Sequence, residues 1–110
     1  MTDKIVVLST CPSEEEAARI ARELVAKRLA ACVNIIGGVR SIYHWKDAME
    51  DSQEVLLVIK TSRALFENLR SQIERTHSYE VPEVIALPIV DGAESYLDWL
   101  GRSLAKTSDE

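Results

Sequence analysis

Cys11, Cys32, His44 and His77 are the side chains of this sequence best suited to bonding a soft or borderline metal ion, and Glu80 and Glu83 supply hard oxygen close to His77. Thiolate and imidazole favour copper or zinc, whereas carboxylates alone favour magnesium or calcium. No pair stands at the close spacing of a C-x-x-C or H-x-x-x-H motif, so a metal site must be assembled by the fold from distant stretches. The densest stretch is His77-Ser78-Tyr79-Glu80-Val81-Pro82-Glu83, with an imidazole, a phenol and two carboxylates. Such groups bind metals, exchange protons or hold a polar ligand. Blander uses stay open beside these. A cysteine at a strand start commonly packs as a small hydrophobe, and a histidine after a helix commonly bonds the last carbonyls. A Cys/His nucleophile needs a thiolate, a base and an orienting group in contact, and no spacing here specifies them. Gly37-Gly38 lacks the lysine and helix start that follow a phosphate loop. Catalysis therefore rests on no motif, and the expectation is a protein that is not an enzyme.

The elements that must position these groups are legible in order. Ile5 to Leu8 is apolar on both faces, as a strand covered on both sides, or central in its sheet, would be, and Thr10-Cys11-Pro12 is expected to break it. Ser13-x-x-Glu16 forms a capping box, serine and glutamate satisfying helix-start donors reciprocally. The helix it opens buries Ala17, Ile20, Ala21, Leu24, Val25 and Leu29, which recur at three and four residues. From Cys32 to Trp45 the period is that of a strand, interrupted at Gly37-Gly38 by a bulge or bend. A turn around Lys46-Asp47-Ala48 returns the chain through an acidic stretch to Val55-Leu56-Leu57-Val58-Ile59. Thr61-Ser62 is expected to cap a second helix with Leu65, Phe66, Leu69 and Ile73 inward, ending near His77. Val84 to Leu87 reads as a buried strand, with Pro88 favouring a sheet edge. Asp91-x-x-Glu94 resembles a further cap, for a short helix carrying Tyr96, Leu97, Leu100 and Leu104 before a polar tail from about Lys106. The order β-α-β-β-α-β plus a terminal helix predicts an α+β, ferredoxin-like sandwich.

Size and charge bound the rest. A chain of 110 residues is expected to form one domain over 1–110 with one core. Thirteen basic and eighteen acidic residues leave a net charge of −5, and with no Lys/Arg stripe no nucleic-acid partner is expected. Ile5 to Leu8 is too short to span a membrane, and Met1-Thr2-Asp3-Lys4 lacks the features of a secretory signal, so the expected location is cytoplasmic without a membrane partner. Cys11 and Cys32 are then expected as thiols. One straight strand of fourteen residues from Cys32 to Trp45 would reach about 45 Å at ~3.3 Å each. A domain of this length has a radius of gyration of only ~13 Å. The hairpin must bend or project, leaving strand edges for another subunit. Tyr43 and Trp45 on the hairpin, and Trp99 off the apolar stripe of the last helix, are expected at that interface.

Five ordered blocks carry a family resemblance. They are Ala30-Ala31-Cys32-Val33-Asn34-Ile35, Ser41-Ile42-Tyr43-His44-Trp45-Lys46, Leu57-Val58-Ile59-Lys60-Thr61, His77 through Pro88, and Tyr96-Leu97-Asp98-Trp99-Leu100. Together, from Val6 to Leu100, the chain resembles the CutA divalent-cation-tolerance family. The resemblance implies a ferredoxin-like homotrimer similar in plan to nitrogen-regulatory signalling proteins, in the cytoplasm and linked to copper and other divalent metals. It implies metal ligands at Cys32 and His77, with a further cysteine at the end of the first strand. Ser9 occupies that place and Cys11 lies two residues later, while Ser78 replaces the proline usual after the histidine. The expected metal set is thus Cys32, His77 and Cys11, for copper or another divalent ion. The alternative is a trimeric signalling or ligand-binding module whose intersubunit clefts, lined by Tyr79, Glu80 and Glu83, bind a small polar molecule; a partner-anchoring scaffold is the third reading.

Overall fold

The computed structural model describes residues 2–106. Among them are four strands, β1 (Lys4–Cys11), β2 (Cys32–Trp45), β3 (Ala48–Ser62) and β4 (Ile85–Pro88), and three helices, α1 (Glu14–Ala26), α2 (Phe66–Thr76) and α3 (Glu94–Arg102). They follow one another as β1-α1-β2-β3-α2-β4-α3, with a single 3-10 turn at Arg63–Leu65 leading into α2. The sheet is antiparallel throughout and ordered β2-β3-β1-β4. This is the α+β, ferredoxin-like arrangement expected. Of the polar tail, everything beyond Lys106 lies outside the described residues.

Strand alternation gives the sheet two unlike faces. Ile5, Val7, Ser9 and Cys11 of β1 and Val55, Leu57, Ile59 and Thr61 of β3 are buried. The apolar ones pack with Ala17, Ile20 and Leu24 of α1 and Leu69 and Ile73 of α2. Each fully buried leucine or isoleucine stabilises the fold by ~1.5–3 kcal/mol. Ser9 Oγ is buried there without a hydrogen-bond partner. A smaller cluster of Leu65, Leu100 and Leu104 seats α3. On the opposite face the register aligns Ile36 and Leu56, and Val6 and Leu8 with Leu87 and Ile85. There Val6, Leu8 and Leu56 are only half-buried, and Ile36, Ile85 and Leu87 are exposed.

Several local expectations are corrected. β1 runs on through Thr10 and Cys11, because β3 extends far enough to pair with both. Val25 is exposed, since it stands at the rim of the α1 stripe rather than within it. The strand expected to be buried, β4, is exposed along its length because it pairs only with β1 and forms the sheet edge; Pro88 fits that place. Ser62 makes no side-chain cap, and Thr61 instead donates its hydroxyl to Leu29 O. Ala93, not Asp91, is the N-cap of α3, and Asp91 accepts a bond from Gly92 N–H.

The hairpin is as long as the sequence suggested. Its register slips between Ile36 and Val39, and Gly38 has φ +75°, a left-handed conformation natural to glycine. Beyond the slip, the pairing continues to Trp45 opposite Ala48. The molecule measures 45 × 26 × 23 Å with a radius of gyration of 14.6 Å.

Candidate metal centre and adjoining groove

Three chain segments converge where β1 ends. Cys11 closes β1 on its helix-packed face and is fully buried. Glu16 lies in the first turn of α1, after Ser13, whose side chain accepts the Glu16 N–H at 3.2 Å. His77 is the C-cap of α2, its N–H bonded to Ile73 O, and its ring is wholly enclosed. One ligand atom from each of Cys11, Glu16 and His77 lies within 4.8 Å of the other two.

The hydrogen bonds orient the ring. Nε2 lies 2.7 Å from Thr10 O, which can only accept, so Nε2 carries the proton. Nδ1 accepts the Tyr79 N–H at 3.0 Å and stands 3.3 Å from Glu16 Oε2. An imidazole that donates one N–H to a carbonyl has the supporting contact common to histidine metal ligands, but its Nδ1 lone pair is taken by the Tyr79 N–H, so an ion at Nδ1 must displace that bond. Glu16 is the residue the sequence reading missed. Its carboxylate does not return to Ser13 N–H as the capping box required, but accepts Ser78 N–H and Ser78 Oγ–H, both at 3.0 Å. Burial raises its pKa, but those two bonds, with His77 and Arg19, outweigh burial and hold it below the ordinary 4.5. The Cys11 thiol is pushed up to about 11, first by burial and then by Glu16. That is the wrong direction for a nucleophile at neutral pH. A thiolate here needs a cation beside it.

Cys32 does not join this cluster within the chain. It pairs with Lys60, which also faces Val6, whereas Cys11 pairs with Val55. The two cysteines are thus five residues apart along β3, about 16 Å, and alternation puts them on opposite faces of the sheet. Cys11 is the cysteine that meets His77. His44, opposite Met49 near the hairpin tip, is remote from both.

Tyr79 passes from the cluster to the other side of the β1 end. Its hydroxyl donates to Glu54 Oε2 at 2.6 Å, and burial, then the Glu54 bond, raises its pKa. Glu54 lies on β3 beside the register slip. The result is a groove of about 710 Å³ between the hairpin and the 78–83 loop, lined by Thr10, Ser41, Ile42, Tyr43, Trp45, Lys46, Glu54, Ser78, Tyr79, Glu80, Val81 and Glu83. Tyr79, Glu80 and Glu83, expected to line a cleft between subunits, here line a groove within one chain. So do Tyr43 and Trp45. Trp99 lies apart on α3, its ring 5.5 Å from that of Tyr96.

Comparison with known proteins gives a consistent result. Residues 5–103 match the model of a family described as CutA1 divalent ion tolerance protein. The divalent-cation tolerance protein CutA of Thermus thermophilus is 52% identical over 95 residues, 86% of this chain and 92% of that protein. The chloroplastic protein CutA of Arabidopsis thaliana is 46% identical over 90% of this chain, which spans only 54% of that relative's length. The crystal structure of CutA1 from Oryza sativa superposes with a TM-score of 0.92 at 42% identity, covering 94% of this chain and 95% of the other.

Proposed function

Because the chain belongs to the CutA1 divalent ion tolerance family, we propose that it is a homotrimeric, cytoplasmic, non-catalytic protein that binds divalent metal, copper above all. The observation that carries the metal reading is the convergence of Cys11, Glu16 and His77 within 4.8 Å. The donor set fits. Sulfur and imidazole nitrogen favour copper and zinc, and copper outranks zinc at a given site. Cys11 and His77 Nδ1 would hold the ion, with Glu16 offsetting its charge, and binding would displace the thiol proton and the Tyr79 N–H. The trimer reading draws on the apolar sheet face around Ile36, Ile85 and Leu87, and on Ile42 and Met49 of the hairpin, which are 62% and 74% exposed. By register the first group lies on the face of Leu56 and the second on the face of Val55, so both sides of the sheet leave apolar side chains to water, which isolated chains rarely do on this scale. The cytoplasmic reading is compatible with a chain in which no described helix is long and apolar enough to cross a membrane.

The test combines mass and metal. Light scattering should give about three times the 12.3 kDa chain mass. Copper titration against a chromophoric chelator should show binding weakened by about tenfold or more in Cys11→Ser and in His77→Ala, loss of one strong ligand being enough for that. Cys32→Ser should leave it unchanged. The opposite pattern, with Cys32 needed and Cys11 dispensable, would move the site to the other face of the sheet.

A second reading, a small-ligand-binding module, is favoured by the groove beside the cluster. Its volume suits a small molecule.

A further inference from the structure

The groove between the hairpin and the 78–83 loop has a definite chemistry, and we infer that it is a binding site for a small organic cation, an ammonium ion carried on an apolar body. The inference rests on the small-ligand reading above and names its ligand class. Three carboxylates, Glu54, Glu80 and Glu83, and a single ammonium, Lys46, line a space whose walls also include Tyr43, Trp45 and Tyr79. Glu54 matters most. It is only 7% exposed, its Oε2 takes the Tyr79 hydroxyl, and its Oε1 has no hydrogen-bond partner among the described residues. That oxygen is not sealed in the core, since the buried unpartnered side-chain oxygen among the described residues is Ser9 Oγ, so a positive charge in the groove can reach it and make a charge-assisted bond.

The chain supplies its own example of such a contact at the groove mouth. Lys46 Nζ stands 5.6 Å from the centroid of the Trp45 ring and 3.6 Å from Glu80 Oε2. Aromatic faces attract ammonium ions, and Trp most strongly. Lys46 makes no bond to Glu54, so the inner carboxylate is left for a second cation. The hydrophobic part of the ligand would lie against Tyr43 and Trp45 while its N–H donors reach Glu54 Oε1.

The experiment uses three probes of one shape in the presence of a chelator: phenethylammonium, 2-phenylethanol and 3-phenylpropanoate. Binding to the full-length protein is read from its two tryptophan indole N–H resonances, the Trp45 signal being identified by its loss in Trp45→Phe. Phenethylammonium should shift that signal saturably and bind about tenfold more tightly than the alcohol, with the anion weakest. Glu54→Gln and, as a second variant at an exposed position, Glu83→Gln should each weaken it, and Lys46→Ala, which removes the competing cation, should strengthen it severalfold. If the alcohol or the anion binds as well as the ammonium, the groove is a ligand site but not one for cations. If none of the three shifts Trp45, the small-ligand reading falls with the inference.

Discussion

Glu16 shows how a residue's local and distant roles compete. By spacing it belongs to a capping box, and Ser13 does cap the helix; yet the carboxylate turns away to Ser78 and stands beside His77 Nδ1. No local pattern carries that outcome, because Ser78 is sixty-two residues away and only the fold brings it near. Cys11 and His77 were legible as ligand types. That Cys11 rather than Cys32 lies beside His77 was not, because it depends on which way each strand's pleat faces, and that follows only when β1 and β2 take their registers on β3. Glu16 also makes a prediction about acid. Its pKa is depressed in the folded protein, so its contribution to stability is present above the unfolded value near 4.5 and is lost as pH falls through the lower folded value. Glu16→Gln should therefore destabilise the protein at pH 7 by about 1.5–3 kcal/mol, the range for hydrogen bonds to a charged group, and the gap should close in increasingly acid solution. Denaturant melts of both proteins between pH 7 and pH 3 check it, and a gap that stays constant would show that the charge contributes nothing.

At the scale of elements, the hairpin was the most legible part of the chain and β4 the least. The hairpin announces itself by alternation, a glycine pair and a polar turn, and β2 spans Cys32–Trp45 as the spacing predicts. β4 misleads because an apolar run without alternation looks the same whether it is buried on both faces or left bare at a sheet edge. The hairpin turn carries strain that is open to test. Lys46 and Asp47 join Trp45 to Ala48 with φ of 50° and 66°, so both central residues of a two-residue turn are left-handed. That geometry suits Asn-Gly or Asp-Gly and costs other residues energy. Asp47→Gly should stabilise the protein by about 1 kcal/mol, without touching Lys46 or its place over Trp45. A denaturation midpoint that fails to rise would mean that Asp47 makes compensating contacts in the assembled protein.

At the scale of the whole molecule, the long axis of 45 Å comes with a hairpin that reaches past the β1 end, so that the groove sits where the sheet has already lost its third strand. Just there, Tyr79 is held at two ends. Its N–H is bonded to His77 Nδ1 on the helix side and its hydroxyl to Glu54 on the groove side. An ion taken up at Nδ1 must release the first of these bonds, whereas a cation seated against Glu54 pins the residue that makes it. The two binding events are then thermodynamically coupled, and coupling of this kind is reciprocal: whatever factor one ligand imposes on the other's affinity is returned unchanged. With about 1 kcal/mol for one backbone hydrogen bond, saturating phenethylammonium should weaken copper binding by about fivefold, and copper should weaken phenethylammonium by the same factor. Copper affinities that are equal with and without the amine would show that Tyr79 yields at one end without disturbing the other. If the coupling is found, the protein does not merely hold a metal. It reports, through one tyrosine, the concentration of a metal to a site for something else.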